Sequence, residues 1–538
     1  MTAVADAGFA PARGGGSRPL AGTGTLLRLG LRRDRVMVPL WVLAIGGTTA
    51  SAGNTLGKVY ETPAQRAGVV DSMAANSSLR SLYGPVFDDS LGGIVAWRYT
   101  VFMAAFAAVM SLLVVVRHTR EEEETGRQEM LSAAMVGRRA PLTSALLVAL
   151  VANTALALLV AAGLAAEGAA GALALGLGIG GVGMVFATMA AMIAQFTETA
   201  RLAKGLTAAV LGLAFALRAA GDAASDDGSH VLTWLSPIGW AENLRPFAAE
   251  RWWVLLLFAA AVVLQGAVAY GLAGRRDVGM SFMAARPGPA EGRLATASGL
   301  AWRLQRGSLA GWGTGFLLAG LMFGGMAEGA ADLVGDNERT RQMLERMGGQ
   351  SGITDAFLAA MVGMLGMVAA LYIVQSVLRL HGEETSQRAE PVLAAAVGRV
   401  RWAVGHLLVA FGGAALIMLL GGLGLALGHG GRFGPVLGAS LVQVAAVWLL
   451  GAVAMAVYGI VPRAAGLAWA YAGLSLALGW VGAALNLPDA ALKVSPFEHL
   501  PKLPGNDMAW GPVGVLLALA VVFTAAGLAG LRRRDILT

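Results

Sequence analysis

The segment VLLLFAAAVVLQGAVAYGLA, residues 254–273, holds no charged side chain, and stretches like it recur along the whole chain. A helix of about 20 such residues is long enough to cross ~30 Å of hydrocarbon. Charged residues make up only 14% of the 538 residues, where an ordinary globular domain carries roughly a quarter. The fold class that follows is all-α, a polytopic membrane protein. Its 75 glycines would weaken helices in water, but between membrane helices small residues permit close backbone approach.

Hydropathy places candidate spans near residues 36–54, 97–117, 142–163, 172–195, 205–224 and 252–273, then near 308–328, 358–379, 404–428, 434–458, 464–486 and 511–531. That makes about twelve helices. Arg28, Arg32, Arg33 and Arg35 precede the first span, which predicts a cytoplasmic N-terminus. Alternation then keeps most remaining arginines inside, sets both termini in the cytoplasm of a multi-pass cell-membrane protein, and leaves the loops 55–95 and 329–357 outside. The net charge of +7 is thereby accounted for at span ends, and no nucleic-acid partner is needed to explain it.

The two halves resemble each other. GTLLRLGLRRDR (Gly24–Arg35) has a counterpart in GLAWRLQRG (Gly299–Gly307), and TWLSPIGW (Thr233–Trp240) one in KVSPFEHL (Lys493–Leu500). Each half closes on nearly the same phrase, GLAGRRD (Gly271–Asp277) and GLAGLRRRD (Gly527–Asp535). The expected organisation is a flexible tail (1–23), a first six-helix half (24–284), a Pro/Gly linker (285–298) and a second half (299–538), related as parallel repeats. Two outer segments, Ala64–Leu82 and Asn337–Ile353, read as a paired lid or cap.

A charged phrase is also written twice, each time in the loop after the second span of its half: EETGRQEMLSAAMVGR (Glu123–Arg138) and EETSQRAEPVLAAAVGR (Glu383–Arg399). Glu123 and Glu124 match Glu383 and Glu384, Arg127 falls beside Arg388, Glu129 matches Glu390, and Gly137-Arg138 matches Gly398-Arg399. Acids at the start and a base at the end suit a short helix dipole, and the glycines are expected to end that helix.

This phrase resembles the first cytoplasmic loop of ABC-2-type permeases, the coupling helix that contacts an ATP-binding subunit. Arg127 stands where Thr is usual, Met135-Val136 where Pro-Val is usual, and Pro391 falls early in the second copy. The likeness extends to the entry helix and to the Pro-containing segment before the sixth span. A single chain with two such halves is similar to the membrane subunits of polyketide-antibiotic exporters of the tetronasin group. The resemblance implies two parallel six-helix repeats of the ABC-2 (type V exporter) type and ATP-driven export of a lipophilic small molecule. It further implies separate ATP-binding subunits, two per chain, carrying ATP and Mg. It assigns ATPase coupling to Glu123, Glu124, Arg127, Glu129, Gly137, Arg138, Glu383, Glu384, Arg388, Glu390, Gly398 and Arg399.

The chain has no G-x-x-x-x-G-K-[ST] phosphate loop, so it is not expected to hydrolyse ATP itself. The six His show no zinc spacing, Cys is absent, and no G-x-S-x-G elbow occurs, so neither a metal site nor enzymatic chemistry is indicated. An ion-driven drug carrier needs ionisable groups inside the bilayer. None falls at mid-span: Glu167, Asp222 and Glu328 lie at span ends, Arg218 beside Asp222 reads as an outer-lip ion pair, and His406 sits near the inner surface. That carrier, and a non-transporting sensor with the permease fold, remain the alternatives. Family likeness draws the substrate path along the second and fifth helices of each half. Candidates there are Tyr99, Phe102, Met103, Phe106 and Phe215, then Met361, Met364 and Met367 on one helical face, and Trp469, Tyr471 and Trp480; ordinary packing is the competing explanation for each.

Overall fold

The computed structural model describes residues 19–75, 77–133, 136–276, 280–282, 296–327, 353–395, 397–481 and 488–535. The chain divides into two compact units, Met1–Pro287 and Gly288–Thr538. Every regular element among the described residues is helical. A bilayer core offers no water to unpaired peptide groups, and a helix satisfies them within itself.

Unit 1 opens with α1 (Thr23–Arg33), bent by 66° from α2 (Met37–Gly57). Then come α3 (Leu91–His118), the short α4 (Arg127–Ala133), α5 (Ala140–Gly163), α6 (Ala169–Phe196), α7 (Ala200–Ala224), the short α8 (Pro237–Asn243) and α9 (Val254–Ala273). Unit 2 repeats the order: α10 (Ala297–Met326), α11 (Ile353–Thr385), the short α12 (Ala389–Ala394), α13 (Arg399–Gly428), α14 (Phe433–Ile460), α15 (Gly466–Val481) and α16 (Trp510–Arg533). Ten of these helices are long and apolar enough to span a bilayer among the described residues, eleven if α1–α2 is one broken span. The remaining expected span, near 464–486, corresponds to α15, and residues 482–487 lie outside the described residues.

Side-chain caps fix several starts. Ser90, Thr199 and Thr296 accept from Gly93, Leu202 and Gly299, and Ser236 does so with Pro237 at the first helical position. In both units the fourth long helix is the hub: α6 packs on α3, α5 and α9, and α14 packs on α11, α13 and α16. Small residues set the closest approaches. A Cβ on Gly424 would overlap the backbone of Leu317, and one on Gly320 the backbone of Gly421. In unit 1, Gly176 and Gly180 press on the Ala157 and Asn153 carbonyls, as Gly424 and Gly428 of unit 2 press on those of Leu317 and Leu321.

The entry helices differ between the units. The bend after α1 is held by Asp34, whose buried carboxylate meets Arg117 (2.8 Å) and His118 (2.5 Å) of α3. In unit 2 the counterpart expected at Gly299–Gly307 is no separate element but the first turns of the continuous 30-residue α10, capped at Thr296. The linker 285–298 and the segment Asn337–Ile353 lie largely outside the described residues, as do Glu328 and most of the tail. The first outer segment is helical over Pro63–Ala75 and Ser77–Tyr83.

Because the α10–α13 contact is backbone on backbone, Gly424→Val is expected to destabilise the fold by at least about 1–3 kcal/mol. The readout is the thermal midpoint in detergent. Gly412→Val in the same helix, where an added carbon meets nothing within 4 Å, is expected to leave it unchanged.

Candidate functional site

The two charged phrases are folded alike, and each is tied to the last helix of its own unit. In unit 1 the Glu123 carboxylate receives both ends of the Arg276 guanidinium, at 2.9 and 2.6 Å. Arg138 then donates to the Arg276 carbonyl at 2.6 Å. In unit 2 the Glu384 carboxylate receives both ends of Arg534, at 2.6 and 2.7 Å, and Arg399 donates to the Arg534 carbonyl. A forked arginine–carboxylate pair is among the stronger hydrogen-bonded contacts available to side chains. Glu384 is buried, takes a further bond from the Tyr458 hydroxyl at 2.6 Å, and its hydrogen bond to Arg534 raises that guanidinium above its ordinary pKa. Arg120, buried in unit 1, adds its own pair with Glu123 and a 3.0 Å bond to the Met280 carbonyl.

This corrects the register read from the sequence. Glu123 is the equivalent of Glu384, not of Glu383, because each makes the same bond and each is followed three residues later by a left-handed residue, Gly126 (φ 68°) or Gln387 (φ 57°). That residue turns the chain out of the span and into the short helix. Matching Glu-Glu-Thr with Glu-Glu-Thr shifted the acids by one, whereas Glu129 and Glu390 were already in register. Glu383 instead pairs with Arg379 (3.3 Å), and Glu124 accepts from the backbone amide of Ala200 at the start of α7 (2.9 Å).

Gly398 does not end α12, which stops at Ala394, and α4 is described as far as Ala133, short of Gly137. Gly398 lies in an extended conformation (φ −65°) at the start of α13, and the Gly137 amide donates to Ala21 (2.9 Å). With these pairings made, the parts left projecting are the short helices themselves. Arg127, Glu129 and Met130 on or at the start of α4, and Arg388, Glu390 and Pro391 on or beside α12, are exposed. Arg127 keeps a 3.3 Å contact with Glu122.

The path candidates separate. Phe102 and Phe215 meet (ring centroids 6.3 Å apart), with Tyr83 against Phe102 and the Arg218 guanidinium over Phe215. Tyr99 and Met103 pack on the core of unit 1, while Phe106 is exposed. Met361 and Met364 are half-buried; Met367 is buried and lines a cleft of about 90 Å³ with Gly479 of α15. Trp469 is exposed, the Tyr471 hydroxyl bonds the Val494 carbonyl (3.2 Å), and the Trp480 side chain lies outside the described set.

At the other end of unit 1 the expected outer-lip ion pair is not at the surface. Arg218 and Asp222 are fully buried, and Arg218 also pairs with Glu242 of α8, both carboxylates at 3.2 Å. Thr233 donates to Asp222 (2.7 Å), and Arg218 donates to the Leu82 carbonyl (3.2 Å). Sequence reasoning missed Glu242 because it lies outside the spans, in the Ser-Pro segment that folds back over α7. His406, in the early turns of α13, is buried against Gln305 at 3.1 Å.

Chain comparisons bear on the whole of this arrangement. The model of the family described as "multidrug efflux system permease Rv1217c, C-terminal domain" matches residues 24–271 and 294–532, one segment in each half. The multidrug efflux system permease protein Rv1217c of Mycobacterium tuberculosis is 42% identical over 539 residues, covering 98% of this chain and 97% of that protein.

Burial, and the Asp222 charge beside it, hold the Glu242 carboxyl well above its ordinary value of 4.5. A raised acid favours its neutral form in the fold. Its contribution to stability is therefore full below that ordinary value and is lost as pH rises through the raised one. Wild-type stability in detergent is expected to fall as pH rises above that ordinary value, and Glu242→Gln to flatten that fall. The measurement is thermal unfolding at several pH values.

Proposed function

The chain belongs to the Rv1217c multidrug efflux permease family, and from that premise we propose that it is the membrane subunit of an ATP-driven exporter of the ABC-2 type. In this reading α4 and α12 are the coupling helices. Each receives one ATP-binding subunit, which carries the ATP and Mg that this chain has no phosphate loop to hold. Closure of the ATPase pair pushes on both helices, and a lipophilic small molecule is released outward. Both termini and both coupling helices then lie in the cytoplasm, with the buried Arg218 cluster near the outer face.

One observation carries the reading: two pseudo-equivalent short helices project their charged residues while Glu123–Arg276 and Glu384–Arg534 bolt their bases to the last helix of each unit. A loop meant only to solubilise a span end needs no such anchoring. A push on an anchored loop moves a whole helix, and rigid-body rearrangement of this kind is a common transport transition. Within this reading Arg127, Glu129, Arg388 and Glu390 touch the partner. Glu123, Glu384, Arg138 and Arg399 act behind them as positioning residues. The likeness to tetronasin-type exporters supports an antibiotic-like or lipid-like substrate. The path along α3, α7, α11 and α15 is supported by the Phe102–Phe215 contact in unit 1.

An ion-driven carrier is the second reading, and the buried Glu242 carboxyl favours it more than the sequence did. Reconstitution separates the two. With an ATP-binding subunit present, Glu129→Arg combined with Glu390→Arg is expected to abolish ATP-dependent efflux while the protein remains folded in the membrane. Undiminished efflux in that variant, or transport by the chain alone on an ion gradient, would overturn the coupling reading.

A further inference from the structure

A cavity of unit 2 lies away from the Glu384–Arg534 bond, at the opposite end of the helices. It is a groove of about 830 Å³ between the first turns of α14, those of α16 and the loop before α16. Leu441, Val442, Trp448, Met508, Val513 and Leu517 give it apolar walls. Small-molecule sites commonly fall in the range of about 300–1,000 Å³.

The internal repeat provides a control for whether this space is a flaw in packing. Helices α6 and α14 are both 28 residues long, so Gly171 corresponds to Pro435 and Gly181 to Ala445. In unit 1 the Phe247 ring lies directly over Gly92 and Gly171, and the Phe258 ring lies over Gly181. The crevice there is filled. In unit 2 Pro435 and Ala445 line open space, and the residue as far beyond its Ser-Pro pair as Phe247 is beyond its own is Asn506. The repeat that lacks the aromatic plug keeps the groove.

The rim carries charge of one effective sign. Arg432 is held by the Asp355 carboxylate. Asp507 is exposed at the mouth and takes part in no ion pair or hydrogen bond among the described residues. Trp510 is 73% exposed beside it, and Trp448 is fixed in the wall by its indole bond to the Phe411 carbonyl (3.0 Å). An unpaired carboxylate with aromatic faces above an apolar trough attracts a cation that is itself greasy.

We propose that this groove binds lipophilic monovalent cations. The proposal rests on the export reading for its biological meaning and names the substrate class that reading leaves open. Its test needs no ATP-binding subunit, so a failure of ATP coupling would not touch it. The purified full chain in detergent is titrated with tetraphenylphosphonium, followed by tryptophan fluorescence, and saturable binding is expected. Asn506→Phe restores the ring that unit 1 carries, and Gly438→Leu extends into a part of the groove where an added carbon meets nothing within 4 Å. Each is expected to weaken binding at least about tenfold. Asp507→Asn is expected to weaken the cation about fivefold while leaving neutral N-phenyl-1-naphthylamine unchanged. Wild-type affinity for the cation in all three variants, in protein that elutes normally, overturns the proposal. So does equal loss of both probes in Asp507→Asn, and so does a groove that retains a co-purified phospholipid and takes up no cation.

Discussion

A forked bond between one arginine and one carboxylate, made once in each unit, organises the end of that unit where its charged phrase lies. Glu123 with Arg276 and Glu384 with Arg534 join the chain at or just past the end of the second long helix to the residues that follow the last helix. Burying charges in an apolar chain is costly unless each is paired. Here the pairing is complete enough to bury Glu384 outright. Arg138 and Arg399 then tie the return of the loop to the same place, through the carbonyls of Arg276 and Arg534. Three residues per unit thus hold the chain on either side of each short helix, whose Glu129 or Glu390 stays exposed.

Beyond this shared frame the units diverge, and they do so at the end away from those bonds. Unit 1 buries a cation between two carboxylates and covers its crevice with Phe247. Unit 2 has Gly479 and Gln443 around a small cleft and, beside α14, the large open groove. A duplicated scaffold under one mechanical constraint is able to specialise wherever the constraint does not reach.

How much of this the sequence carried depended on the physical range of each feature. Span positions were legible because a bilayer imposes one length and one polarity on every crossing; Met37–Gly57, Ala140–Gly163 and Val254–Ala273 fall within a few residues of their expected places. The repeat was legible too, and so were its parts: the doubled acids and the doubled GLAGRRD-type ending were both in view. Their joining was not, because pairing across about 150 residues leaves no periodicity to read. The one-residue register error at Glu383 arose from matching letters, where the fold matches a left-handed turn at Gly126 and Gln387. Burial of Arg218 was misread for a related reason. A charge near a span end looks exposed until another segment, here the one bearing Glu242, folds across it.

The central claim is that force applied to the short helices reaches the membrane through the arginine–carboxylate bonds. Charge exchange tests it most directly. In the complex with the proposed ATP-binding subunit, efflux and ligand-stimulated ATP turnover are measured for Glu384→Arg, for Arg534→Glu and for the two together. The account expects each single reversal to uncouple ATP turnover from efflux in folded protein, and the exchanged pair to recover coupling. Single reversals that transport like the wild type would contradict it.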